Sequence, residues 1–469
     1  MDDLPLNNFT SLNQVSKIKT FGTKYILIIV YVFIAVLSFD TIIYALAGWF
    51  EVIDITFVSP GAVPSFVVIL SVTIVCQLFI MQFVRNRSRE IRKKNRYLNL
   101  MHHTVTIIQY FIIAVLVYVI LGLTILESYS MIASTLIDLI SYGLATVLMG
   151  IFGVIFLRWY KSNRKSKSIL VLIYGLSFVF TAVALLAIMV SDAKVFEDRI
   201  LTIVTSDSDP TFPGLEETPY PWKYIRHLLF EIYSNADLIA FYLKWGGTAM
   251  ILYHYAHKMG KLKFWTLLSL PLIYFSLTII GDYHLFGEEF SYSLIYISIS
   301  SLNSTWGGIL FYIAFRISSK QFESNERFRN YLLLAGFGFM LFFSGSQTSM
   351  LATVYPPWGA ATTSTFGLGT YVVLMGLYLS AKAIAQNEEL KESLKKSTLA
   401  EYKFLHSIGT SAAEREKILI DTALAESKSI KEEEMKEVGI AAPMSEKEIR
   451  EFVKNIDDKQ EAMEEEKDQ

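Results

Sequence analysis

The chain has one cysteine among its 469 residues, Cys76. A lone thiol in an apolar run excludes a disulfide framework and a cysteine-based metal centre. Charge is scarce as well: Asp, Glu, Lys and Arg make up 18% of the residues, against about 25% in an ordinary soluble protein. The common catalytic signatures are absent. There is no glycine-rich box ending in Lys-Ser/Thr, no HExxH, no GxSxG elbow and no dinucleotide-type glycine fingerprint with its distant acid. The chain therefore reads as a non-enzyme with no cofactor, no bound metal and no nucleic-acid partner. A cleavable leader pattern is missing too. The first apolar run, Tyr25 to Phe50, is too long for a leader core, and no small-residue cleavage site follows it, so it reads as a signal anchor.

What the chain has in abundance is apolar length. Hydrophobic residues make up 53% of it. A helix needs about 20 apolar residues to cross a hydrocarbon layer roughly 30 Å thick. Ten stretches meet or approach that length: 25–48, 63–84, 104–126, 131–157, 169–190, 238–257, 264–281, 292–315, 331–354 and 358–384. Their apolar runs are continuous rather than alternating, which argues against a barrel. The expected fold is all-α, a polytopic transmembrane helical bundle of about ten spans. It divides into a short N-terminus (1–24), a transmembrane domain (25–385) and an acidic helical tail (386–469).

Lys and Arg collect on alternate connections. Segments 85–103, 158–168, 258–263 and 316–330 hold 19 of them, while 49–62, 191–237 and 282–290 hold 4. Cytoplasmic loops carry the positive excess, so ten crossings place both termini in the cytoplasm of a cell-membrane protein. From Asn387 onward 22 acids face 14 bases, a net of −8, so the rest of the chain carries −2 − (−8) = +6.

The outward loop 191–237 contains "SDSDPTFPGLEETPYPW" (206–222), whose prolines and glycine favour irregular structure. Trp222, Ile225, Leu229 and Ile232 after it have helical spacing and predict a short helix lying flat in the headgroup zone. In the tail, the helix continuing from the tenth span is expected to break at Gly439 and Pro443. "PMSEKEIREFVKNIDD" (443–458) then has Ser445 and Glu448 as a capping box, with Ile449, Phe452, Val453 and Ile456 on one face. That face fits the groove of a cytoplasmic protein partner or, equally, folds back on the chain's own membrane domain.

Charges inside spans cost at least about 2.5 kcal/mol on insertion scales, so Asp40, Asp138 and Lys244 stand out. Each lies six to eight residues from the outer end of its span, on the order of 10 Å deep. The common level allows an Asp–Lys charge cluster. Otherwise Lys244 would snorkel outward and each Asp would bond a neighbouring hydroxyl. His102, His103, His254 and His257 sit at the opposite level and read as interfacial, and His406 as a surface histidine.

Near the end of the apolar region the chain reads "FSGSQTSMLATVYPPWGAATTSTFGLG" (343–369). Asn303 and Thr305, with Ser344, Ser346, Gln347, Thr348, Thr362 and Thr363, put amides and hydroxyls in the outer halves of spans eight to ten. Small hydroxyl residues let membrane helices approach closely; the alternative is a polar cleft open to the outside. Either way these groups face protein or water, because lipid cannot satisfy them.

"YPPWGAATTSTFGLGTYVVLMGLYLSAKAIAQNEELKESLKK" leading into "FLHSIGTSAAERE" resembles uncharacterised multi-pass membrane proteins of archaea over about residues 355–416. There a Pro-Pro-aromatic-Gly turn enters a last span and then a charged helical tail. A looser similarity is to the membrane sensor halves of histidine kinases, here without a kinase. The resemblance implies architecture and lineage. The expected function of this lipid bilayer protein is receptor-like or sensory, passing an outside or membrane signal to its cytoplasmic tail. The alternative is a secondary transporter of a small polar or ionic solute.

Overall fold

The computed structural model describes residues 28–44, 61–93, 96–126, 131–162, 168–205, 220–253, 260–282, 294–320, 322, 325–345, 356–387 and 405–410. Among the described residues every regular element is a helix. In chain order these are α1 (Ile28–Tyr44), α2 (Ala62–Lys93), α3 (Arg96–Ile125), α4 (Met131–Ser162), α5 (Ile169–Thr205), α6 (Tyr220–Tyr253), α7 (Lys261–Asp282), α8 (Leu294–Lys320), α9 (Glu326–Gly345) and α10 (Ala360–Gln386). Six of them, α2 to α5, α9 and α10, contain segments long and apolar enough to cross a membrane. From α2 onward each helix packs on the next, and α10 returns to pack on α2, α3, α4 and α9.

Polarity runs inside out. Val68, Ile107 and Tyr118 are more than half exposed on α2 and α3, whereas Asp40, Gln77, Gln109, Ser141 and Thr362 to Thr365 are fully buried or nearly so. Water would penalise such an apolar exterior. A lipid solvent reverses the preference, leaving polar groups to seek one another inside.

The centre is the α9/α10 pair, buried over most of its length. Its antiparallel register is set by glycine. Gly345 meets Phe366 and, seven residues earlier, Gly338 meets Val373; from the other helix Gly369 meets Phe342 and Gly376 meets Ala335. A methyl at Gly338 or Gly376 would overlap the facing backbone. Small residues at seven-residue steps allow this approach, and dispersion then holds the helices together.

Two expectations are corrected. The flat helix at Trp222–Ile232 is the first part of α6, which runs unbroken to Tyr253. Pro221 sits in its first turn, where the missing N–H costs nothing, and no Gly or Pro follows before Gly246. Helix also continues from α5 to Thr205, so of the loop 191–237 only 206–219 lies outside the described residues. The tail is not an extension of the last span either. The span ends at Gln386, and Asn387 turns extended, its N–H bonding the Ile384 carbonyl at 3.3 Å. A short helical segment at 405–410 then lies against this end, with Leu405 and Ile408 buried and Gly409 packed on Ile384. The docking helix Ile449, Phe452, Val453 and Ile456 lies outside the described residues.

Candidate functional site

Helix α10 begins with a buried turn. Gly359 adopts φ 93°, a left-handed conformation that favours glycine. Its N–H and that of Thr362 would be unsatisfied at a helix start. Asp40 on α1 answers both. Oδ1 accepts from Gly359 N–H at 3.1 Å, and Oδ2 accepts from Thr362 N–H at 3.1 Å and from Thr362 Oγ1 at 2.8 Å. A carboxylate there also meets the positive end of the helix dipole. Asp40 is thus a cap supplied by another helix.

The next turns of α10 are held the same way. Gln77 donates to Ser364 Oγ at 2.9 Å and Thr365 Oγ1 at 3.0 Å. Gln109 donates to Gln77 Oε1 and to the Ser364 carbonyl, both at 3.1 Å. Ser141 donates to the Thr363 carbonyl at 2.6 Å and accepts from Gly367 N–H at 3.1 Å. Further along, His102 is buried and meets the Tyr371 hydroxyl at 2.6 Å. That corrects its interfacial reading; His103 beside it is exposed. Of the residues expected at an outer cleft, Ser344, Thr362 and Thr363 are buried in this packing. Asn303 and Thr305 fall on α8, and Ser346, Gln347 and Thr348 lie outside the described residues.

The second feature is a cavity of about 70 Å³ among α4, α5, α6, α7, α9 and α10, room for several waters. Asp237, Phe241 and Lys244 of α6 enter it at spacings of four and three residues, which keeps them on one helix face. Phe241 stacks on Phe275 with centroids 3.9 Å apart. Tyr142, Tyr233 and Thr181 also line it. Lys244 is buried, its ammonium 5.0 Å from the Phe342 centroid and 5.4 Å from that of Phe343.

A desolvated cation over a ring gains about 2 kcal/mol, against several kcal/mol for taking an ammonium out of water. The aromatic cage offsets only part of that cost, and the remainder falls to the cavity and to half-buried Asp237. The two charges form no direct ion pair among the described residues. Asp40 and Asp138 do not line this cavity: Asp40 belongs to the α10 cap, and Asp138 is buried on α4 one turn before Tyr142.

Asp237 is hidden in the sequence because the apolar run of the sixth span begins just after it, at 238, which leaves Asp237 at the end of the acidic loop 191–237. A seven-residue step to Lys244, two helical turns on one face, was the available signal. No family model, curated protein or solved structure matches the chain.

Proposed function

We propose that the protein is a receptor-like membrane protein in which the state of the Lys244/Asp237 cavity is relayed along α10 to residues 405–410. One observation carries the reading. Phe366 of α10 lines the cavity, and Ile384, 18 residues further along the same helix, is the surface on which Gly409 packs. A rise of 1.5 Å per residue makes that separation roughly 27 Å. A rigid, enclosed helix with a cavity at one end and a docked segment at the other is suited to shifting both together. In this reading all ten helices cross the cell membrane, both termini are cytoplasmic, and the tail beyond residue 410 recruits a cytoplasmic protein through the Glu446–Ile456 helix. The archaeal lineage implied by residues 355–416 belongs to the same proposal.

The test uses Ser407, buried under the docked segment. Ser407→Cys in a Cys76→Ala background reports docking through its rate of thiol labelling in nanodiscs. Labelling should be slow, and Phe366→Ala or Lys244→Met at the cavity should change it at least about threefold. Equal rates in all three proteins would remove the relay. The second reading, a secondary transporter, is favoured by opposite charges around an intramembrane cavity. It would gain if proteoliposomes accumulated a solute while labelling stayed constant.

A further inference from the structure

We infer that the cavity binds a small zwitterion with its two charges separated by a short chain, of the ω-amino acid class. This rests on the cavity being the receptor's ligand site. Asp237 and Lys244 present opposite charges to one cavity, so an ion of either sign alone meets repulsion at one end. They are seven residues apart on α6, a rise of about 10 Å. Side chains lean towards the helix N-terminus, so the long Lys side chain leans back towards Asp237 and shortens that span. Phe241, between them on the same face, provides an apolar wall for methylene groups.

Size narrows the class. At roughly 10–15 Å³ per water-sized position, about 70 Å³ corresponds to about five to seven non-hydrogen atoms. β-Alanine and 4-aminobutyrate fit, with the carboxylate towards Lys244 and the ammonium towards Asp237. Glycine is too short to reach both charges, and tryptophan is too large.

Thermal unfolding of the full chain in nanodiscs tests this with those four compounds, acetate and ethylammonium. β-Alanine or 4-aminobutyrate should raise Tm by at least about 2 °C; the other four should not. Affinity should fall more than about tenfold in both Lys244→Met and Asp237→Asn, with cooperative melting showing that the variants fold. Lys244→Arg, which keeps the charge, should retain binding. Acetate matching β-alanine, with no effect of Asp237→Asn, would overturn the zwitterion in favour of an anion site. No shift with any compound in a cooperatively melting wild type would overturn it outright. Ser407→Cys labelling separates the two failures. A zwitterion that binds without altering labelling removes the relay and keeps the site. Labelling that responds to cavity variants without zwitterion binding removes the ligand class and keeps the relay.

Discussion

Asp40 and Thr362 are joined twice, through the Thr362 amide at 3.1 Å and its hydroxyl at 2.8 Å, although 322 residues separate them. Helices α1 and α10 are thereby locked through buried polar groups that an apolar surrounding could not satisfy.

Replacing Asp40 tests that lock. Asp40→Ala removes the carboxylate acceptor from two buried amides and from the Thr362 hydroxyl, which keeps longer contacts to the Leu37 carbonyl and Thr41 Oγ1 at 3.4 Å; at about 1–3 kcal/mol for each buried donor, a loss on the order of 3 kcal/mol is expected. Asp40→Asn keeps one acceptor oxygen and should fall between Ala and wild type. Denaturation in mild detergent measures both, and an unchanged Asp40→Ala midpoint would contradict the cap.

Gly338→Ala and Gly376→Ala should each force α9 and α10 apart and cost about 1–3 kcal/mol, as overpacking does. Gly246→Ala is the control. A methyl at Gly246 meets nothing within 4 Å, so it should be neutral or slightly stabilising through helix propensity. Equal melting of all three variants would deny the close approach.

The Gln77/Gln109 pair should behave non-additively. Gln77→Leu alone takes one bond each from Gln109, Ser364 and Thr365, which keep their bonds to the Ser364 and Ala361 carbonyls, and Gln109→Leu alone leaves Gln77 Oε1 without its donor. Removing both amides removes their mutual bond from each side. The double variant should therefore lose less than the two single losses combined, by about 0.6–1.7 kcal/mol. A double-mutant cycle on thermal stability reads this directly.

Deleting residues 411–469 should leave the melting of the bundle almost unchanged, because it keeps the docked segment 405–410 whose Gly409 packs on Ile384. Ile408→Asp in the full chain should release the segment, seen as faster Ser407→Cys labelling with a core Tm within about 2 °C of wild type. A large fall in that Tm would mean that the segment is part of the core.

Reporters test topology. Insertions in 85–103 and a fusion after Gln469 should report one side of the membrane, and an insertion near Gly214 the other. The basis is the 19-to-4 division of Lys and Arg between alternate connections. Gly214 and Gln469 on the same side would remove the ten-crossing arrangement.

The all-helical structure of the described residues was legible in the sequence, as was the apolar part of each described helix, although α5 and α6 extend well beyond their apolar runs. Both follow from local quantities: runs of apolar residues long enough for a bilayer, and basic clusters between them. Hydroxyls in "AATTSTFGLG" could likewise be recognised as groups that must face protein or water. Their partners could not be read, because Asp40, Gln77, Gln109 and Ser141 reach them from four other helices, and which faces meet depends on rotation and register. The glycines of α9 and α10 illustrate the same division. Their seven-residue spacing is written in the chain, but only packing shows that Gly338 faces Val373 and Gly376 faces Ala335. Lys244 could be singled out by the cost of a charge within a span. Its companion in the cavity was decided by the continuity of α6, which turned the supposed loop residue Asp237 into a helix residue two turns away. Composition and periodicity thus determined which segments become helices, since those choices are made along the chain. Which polar groups share a cap or a cavity was decided by tertiary packing, since each buried group takes whatever partner the folded bundle brings within hydrogen-bond reach.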